Sequence, residues 1–333
     1  KGKVIRLFIS LSNFIIQGYM EDIIIIGGGP VGIYASILAS LHSLKGFLIE
    51  SLDTLGGQLT SLYPEKKIID LPGFTSISAK EYINALIKQR ESLTNKFPLH
   101  LNEKFESFTK IDNGYSLKTN KGIYETKTIL IATGMGVFTP RQTGIKNENQ
   151  FDNIIYSLKS LDSYKNKTIA VLGGGDSALD WAIMLADIAK KVYIIHRRDE
   201  FRGQSSSVQV MIDKGVEVLK PYLLQEFIGD SSVKSIVLKH AVSNEIKTID
   251  VDMVFVNYGI ITSPINIDLE LTNSSIKVDS TYMTSKENIF AIGNAINYPG
   301  KVKNITAGLG EAVIAITKID QIINPNKNIP IHF

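Results

Sequence analysis

The 333-residue chain contains no cysteine. That absence excludes a disulfide framework, thiolate metal sites, iron–sulfur ligation and any thiol–disulfide relay within the sequence. Histidines number five, with no ligand pair at helical spacing. Charge of one sign is also lacking: 36 basic groups face 33 acidic ones, a net of +3. Such a balance argues against nucleic-acid binding, while leaving room for a local basic face toward an acidic partner. Long apolar runs are missing too. Leu7–Ile16 is too short to span a bilayer, and no other segment reaches the ~18 apolar residues required. Lys1, Lys3 and Arg6 give this run the look of a signal peptide, but no small-residue cleavage site follows. Residues 1–19 read as a leader or short packed extension, with targeting as the alternative. The expectation is a soluble cytoplasmic protein that binds neither membrane nor nucleic acid. Its length suggests about two domains.

What is present begins at Met20. Asp22–Ile26 is a β-branched run of the kind that forms a buried parallel strand. Gly27-Gly28-Gly29-Pro30-Val31-Gly32 follows, then an apolar-periodic helix from Ile33 to about Ser43. In this G-x-G-x-x-G arrangement Gly27 permits a tight turn and Gly29 lets a pyrophosphate approach the backbone. Gly32 allows close helix–strand packing, and Pro30 opens a helix whose N-terminus faces the anion. A second strand, Gly46–Ile49, ends at Glu50, 18 residues beyond Gly32. A carboxylate there accepts the hydroxyls of an adenosine ribose.

The unit recurs. Thr168–Leu172 reads as a strand, followed by Gly173-Gly174-Gly175-Asp176-Ser177-Ala178 and a helix to about Ala189. Val192–Ile195 is the next strand, and His196 stands 18 residues after Ala178. Gly27 and Gly173 are 146 residues apart, as are Glu50 and His196. Two dinucleotide folds of matched internal length are therefore expected in tandem. They differ at one place: where the first has Glu50, the second has His196-Arg197-Arg198, with Arg202 close behind. Guanidinium groups bind a ribose 2′-phosphate through charge-assisted hydrogen bonds of roughly 1.5–3 kcal/mol each. Together they favour NADPH over NADH; a solvated basic corner is the competing reading. The first site suits FAD and the second NADPH/NADP⁺. Two such cofactors imply hydride transfer between them, which requires no catalytic triad or metal.

These residues, with Gly56-Gly57-Gln58-Leu59, Ala132-Thr133-Gly134 and the Phe201-Arg202 pair, resemble thioredoxin reductase over nearly the whole chain after Met20. The stretch corresponding to that family's Cys-x-x-Cys is Ile154-Ile155-Tyr156-Ser157-Leu158, so disulfide reduction by its mechanism is excluded. Leu62-Tyr63-Pro64-Glu65-Lys66, Gly174–Trp181 and Gly308-Leu309-Gly310-Glu311-Ala312 resemble the branch without the dithiol, the thioredoxin-reductase-like ferredoxin–NADP⁺ reductases. The resemblance implies homodimers passing electrons between NADPH and ferredoxin or flavodoxin through FAD. It also implies that Tyr63 stacks on one isoalloxazine face and that His332, on a tail shorter than the family's, covers the other. Gly57, Gln58, Thr133 and Gly134 fall at flavin positions, and Phe105 and Phe138 match apolar positions lining the FAD. Core packing is the competing reading for both phenylalanines and for Tyr63. Gly293-Asn294 stands where the superfamily has Gly-Asp, so a neutral amide replaces a charged ribityl contact.

The implied fold class is α/β: two Rossmann-like dinucleotide-binding domains of three-layer ββα type, the NADPH domain inserted in the FAD domain. The expected boundaries are 20–137 for the first FAD segment, 138–263 for the NADPH domain, and 264–333 for the second FAD segment and tail. The Gly- and Pro-containing connections at 134–140 and 258–264 suggest a rotation between domains. Lys66 and Lys67 are candidates for guiding an acidic partner, with plain surface charge as the alternative. Two further readings stay open. One is an NADPH-dependent reductase of quinones, oxygen or ferric chelates; the other is a non-catalytic NADPH sensor.

Overall fold

The computed structural model describes residues 20–158, 161–263 and 267–327. The chain divides into two compact units. One comprises residues 1–57, 84–134 and 265–333, and the other comprises 58–83 and 135–264.

Among the described residues, the first unit is built on a seven-stranded sheet. The apolar Glu21–Ile26 strand lies between Gly46–Ile49 and Ile123–Ile131, parallel to both. Its four isoleucines, Ile23 to Ile26, are buried, as a strand covered on both faces requires. Leu99–His100 extends the parallel layer on one side, and Ile289–Ala291 pairs with Ile123–Ile131. Phe105–Ile111 and Gly114–Thr119 continue from Ile123–Ile131 as an antiparallel meander. The helix Pro30–Leu41 packs on the layer, and Ile305–Ile323 packs against that helix and the 293–295 turn.

The second unit repeats the arrangement. Thr168–Leu172 runs parallel to Lys191–Ile195 on one side and to Met253–Val256 on the other. Ile154–Ile155 and Glu217–Leu219 complete a five-stranded parallel sheet among the described residues. A three-stranded antiparallel sheet, Tyr222–Gly229, Val233–His240 and Ile246–Asp250, supplies the other β layer. Phe227, Ile236 and Leu238 from it close one core over Ala170 and Val254. The helix Asp176–Ala186 closes the other, with Trp181 edge-on to Phe255. This is the α/β class the sequence predicts. Helix bounds shift by a few residues: Pro30–Leu41 rather than Ile33 to Ser43, and Asp176–Ala186 rather than an end near Ala189.

Helix and strand meet without side chains at Gly32. A Cβ there falls 1.9 Å from the Gly27 carbonyl oxygen, a backbone atom with no means of retreat. Gly32→Ala therefore destabilises the first unit by about 3 kcal/mol through overpacking. Urea unfolding followed by circular dichroism checks this, and an unchanged midpoint contradicts the packing described.

Candidate functional site

In both units the glycine loop leaves the carboxyl end of a strand whose two neighbours lie on opposite sides, the switch point where parallel sheets open a crevice. In the first unit, Gly27 adopts φ +106°, and a Cβ there comes within 2.7 Å of the Ala132 carbonyl oxygen. Gly29 is different: a Cβ on it meets nothing within 4 Å. Gly29 is also the N-cap of the Pro30–Leu41 helix, with Pro30 at its start and no side chain capping the first turn. The first-turn amides and the open face of Gly29 form a cradle of the shape and polarity a pyrophosphate requires.

Glu50 closes one side of that cradle. It is buried; Oε2 accepts from the Gly28 amide at 2.7 Å, and Oε1 accepts from the Leu52 amide at 2.9 Å and the Ser51 hydroxyl at 3.0 Å. Three of its roughly four acceptor sites are filled, leaving about one for a hydroxyl donor. The Gly56 amide donates to the Gly28 carbonyl, and a Cβ on Gly57 sits 3.4 Å from Gly29 Cα, so 56–57 folds against the loop. Thr133 follows the Ile123–Ile131 strand with its Cα 3.0 Å from the Cβ position of Gly27, and Gly134 turns the chain at φ +60°.

Gly293 and Asn294 lie on a 3-10 turn directly after Ile289–Ala291. A Cβ on Gly308 meets Val31 at 2.5 Å and Gly293 Cα at 3.5 Å, so the second helix brings its first turns to the Gly27–Gly32 loop. That helix begins at Ile305, with Asn304 Oδ1 accepting the Ala307 amide at 2.9 Å. Phe105 is 7% exposed and sits in the core with Tyr115 and Leu117. Phe138 is on the Val137–Pro140 strand, but its side chain and the whole of His332 lie outside the described residues, as does the 1–19 extension.

The second loop repeats these roles. A Cβ on Gly173 meets the Asn257 carbonyl oxygen at 2.6 Å and Ala178 Cβ at 2.9 Å, whereas one on Gly175 meets nothing. Gly175 caps the Asp176–Ala186 helix without a side-chain partner for its first turn. Asp176 opens this helix, and its Oδ1 accepts the Gln204 amide at 2.9 Å. Arg202 donates its backbone amide to the Gly174 carbonyl at 2.7 Å, fixing the 197–204 segment beside the loop.

His196 does not stand on the surface with its arginines. It is 6% exposed, lies under Gly174 and stacks on Phe201 with ring centroids 5.4 Å apart. Burial pushes its pKa below the ordinary histidine range; the three nearby guanidinium charges push the same way, against the hydrogen bond to the Glu200 carbonyl. The ring is therefore neutral and donates from Nε2 to Glu200 O at 3.0 Å. Arg197, Arg198 and Arg202 are exposed, and none has a carboxylate partner among the described residues. Three guanidinium groups without a carboxylate partner among the described residues, on a segment fixed to the second loop, suit a phosphate dianion.

Tyr63 and Gln58 belong to the same unit as this second loop. Gln58 opens the short helix Gln58–Ser61, and the Tyr63 hydroxyl accepts from Ser177 Oγ at 3.2 Å. The lysines expected to guide an acidic partner are both paired: Lys66 with Asp180 at 3.0 Å, and Lys67 with Glu81 at 3.9 Å. The described residues contain no cluster able to hold a metal ion and no helix long and apolar enough to cross a membrane. One cluster escaped the sequence reading: Lys301, Tyr298 and Glu311, buried beside Gly293. Its one legible signal was a carboxylate on the buried stripe Gly308, Ala312, Ala315, Ile316 of the Ile305–Ile323 helix.

A profile of pyridine nucleotide-disulphide oxidoreductases matches residues 21–312, most of the chain. The chain belongs to that family. Among its relatives is the ferredoxin–NADP reductase of Acholeplasma laidlawii, 44% identical over 92% of this chain and 96% of its own length. Those of Geobacillus thermodenitrificans and Streptococcus thermophilus are 41% and 40% identical, over 91% and 93% of this chain and 93% and 96% of theirs. Solved structures similar in fold include the thioredoxin reductases of T. acidophilum and Lactococcus lactis. Both superpose with a TM-score of 0.75 at 23% identity, over 91% of this chain and 98–99% of theirs. The family's two-domain nucleotide-binding fold accounts for the duplicated loops.

The two open glycines separate folding from binding. At φ −69° and −96°, Gly29 and Gly175 have backbones that any residue adopts. Gly29→Val and Gly175→Val both keep the wild-type circular dichroism spectrum. The first weakens FAD, and the second weakens NADP⁺, by about a hundredfold in calorimetric titration, because a side chain occupies the pyrophosphate's place. Wild-type affinity in either variant contradicts the cradle.

Proposed function

We propose that the protein is an FAD-dependent reductase that moves electrons between NADPH and a small acidic carrier, ferredoxin or flavodoxin. The observation that carries this reading is the electrostatic contrast between two equivalent cradles in a chain without cysteine. One ends at a buried, hydrogen-bonded carboxylate and the other at three unpaired guanidinium groups. The names of the relatives at 40–44% identity support NADP and ferredoxin. When bound, FAD accepts a hydride equivalent from NADPH and releases the electrons singly to a one-electron acceptor.

Gly27, Gly29, Pro30 and Gly32 hold the FAD pyrophosphate on this reading, and Glu50 takes a ribose hydroxyl. The family resemblance, rather than geometry, adds Gly57, Gln58, Tyr63, Phe105, Thr133, Gly134, Phe138, Gly293, Asn294 and His332 as flavin positions. Gly173, Gly175, Asp176, Ser177 and Ala178 form the NADPH loop. Arg197, Arg198 and Arg202 grip the 2′-phosphate, while His196 shapes the segment that carries them. The role left to the protein is alignment and charge placement, since the hydride passes between cofactors. The resemblance divides the chain into FAD segments 20–137 and 264–333 with the NADPH domain, 138–263, between them, whereas residues 58–83 group with the second unit. We place the enzyme in the cytoplasm as a homodimer, from the resemblance alone. Reduction of quinones or other small acceptors is the second reading; the pairing of Lys66 and Lys67, which leaves neither as a free steering charge, favours it.

Two measurements test the proposal. Stopped-flow reduction of ferredoxin, flavodoxin, quinone and ferric chelate by the NADPH-reduced enzyme ranks the acceptors; ferredoxin slower than the small acceptors overturns the first reading in favour of the second. Arg197→Ala/Arg198→Ala raises KM for NADPH by about tenfold to a hundredfold and leaves KM for NADH within about twofold. Equal losses for both coenzymes contradict the 2′-phosphate assignment.

A further inference from the structure

The side chains of Lys301 and Glu311 are 1% and 2% exposed, a buried ion pair beside the Gly293 turn. Glu311 accepts three hydrogen bonds. Its Oε2 accepts from the Gly293 amide at 2.7 Å, while Oε1 accepts from the Tyr298 hydroxyl at 2.8 Å and from Lys301 Nζ. Burial, followed by the hydrogen bond to Glu311, pushes the Tyr298 hydroxyl pKa up, so it stays protonated as a donor. The neighbouring Tyr282 ring lies 6.1 Å from that of Tyr298, closing the cluster from the other side.

The target of this cluster is one backbone amide. Gly293, at φ +72°, begins the turn that carries Asn294, and glycine turns lose the most chain entropy on ordering. The Ile292 amide fixes one end of the turn on the Ile131 carbonyl at 2.9 Å, and Gly308 packs against Gly293 Cα. Glu311, one helical turn after Gly308, adds a charge-assisted bond to the same residue. Asn294 itself is half-buried, with its side chain making no hydrogen bond among the described residues. A polar amide held in place beside a nucleotide cradle, with its own valence unspent, is arranged to receive a ligand group.

We propose that Glu311, Lys301 and Tyr298 are positioning residues for the flavin: Glu311 clamps the Gly293 turn so that Asn294 is preset for the cofactor. Lys301 and Tyr298 hold the Glu311 carboxylate in place through its other oxygen. This inference rests on the reading that the first unit holds FAD. The cluster therefore sets how tightly the cofactor is held, beyond its share in folding.

A double substitution separates the two contributions. Lys301→Met or Glu311→Gln alone strands one buried charge or removes its partner, and lowers the melting temperature. Lys301→Met/Glu311→Gln removes both charges and restores the melting temperature of the apoprotein toward wild type, because a buried pair is replaceable by neutral groups. FAD affinity, read by fluorescence quenching, stays about tenfold or more below wild type in the double variant. Tyr298→Phe keeps both charges and the packing, and weakens FAD about threefold. Should the double variant not fold, Tyr298→Phe decides alone. FAD dissociation constants within about twofold of wild type in whichever of these variants fold show that the cluster is merely structural. A wild-type protein that fails to take up FAD at all overturns the flavin reading itself, an outcome distinct from either.

Discussion

The site depends on places where one backbone approaches another more closely than any side chain permits. In the first unit these are Gly32 over the Gly27 carbonyl and Gly27 over the Ala132 carbonyl; in the second, Gly173 over the Asn257 carbonyl. Contact at that range sets the start of each helix at the end of its strand, so its free amides point past the sheet into the crevice. Register then carries the geometry outward. Ile26 lies opposite Ile49 and Ile131, as Leu172 lies opposite Ile195 and Val256. The residue after each neighbour is thereby delivered to an equivalent place: Glu50 and His196 on one side, Ala132 and Asn257 on the other.

Equivalent places have acquired opposite chemistry. The middle glycine of each loop lies against the residue that ends the second strand: Gly28 against the Glu50 carboxylate, Gly174 against the His196 ring. In the first unit that residue is an acceptor buried with its bonds largely made, a rigid device suited to neutral hydroxyl donors. In the second it is a neutral ring that fills space, and recognition passes to the exposed arginines that follow. Exposed charges act through a solvent that screens them over about 8 Å, so they discriminate a dianion from a hydroxyl by charge and number rather than by exact placement. On the proposed reading, one scaffold distinguishes two adenine dinucleotides by moving the recognition groups from the core to the surface.

The parts legible in the sequence are those set by local spacing. Strand, glycine loop, helix and following strand lie within about thirty residues of one another, and their periodicity and offsets announce them. His196 misleads because its sequence position matches that of Glu50, whereas its burial is decided by Phe201 and the Glu200 carbonyl, which no spacing rule anticipates. Long-range pairings are equally silent: Ser177 reaches Tyr63 across 114 positions, and Lys66 finds Asp180. Lys301 and Tyr298 lie on the stretch between two recognisable motifs and carry no pattern of their own. Glu311 was the exception, since a carboxylate on a buried helical stripe requires a partner even before that partner is known.

The stretch Ile154–Leu158 shows what the missing sulfur means for the path of the electrons. Ile154–Ile155 is a strand paired with Met253–Val256, and Leu158 is 1% exposed, packed in the core with Tyr164 and Trp181. Where a thiol pair would receive electrons from a flavin, this chain has sheet and core. On the proposed reading, reducing equivalents that enter at the arginine-marked nucleotide site therefore find no thiol to leave by. On the proposed reading they depart from the cofactor directly, and the acceptor must come to it. The protein's control over that step lies in how firmly the flavin and its surroundings are held. A buried charge pair devoted to a single glycine amide beside the cradle then has a physical purpose: where no protein group relays the electron, the placement of the cofactor governs its transfer.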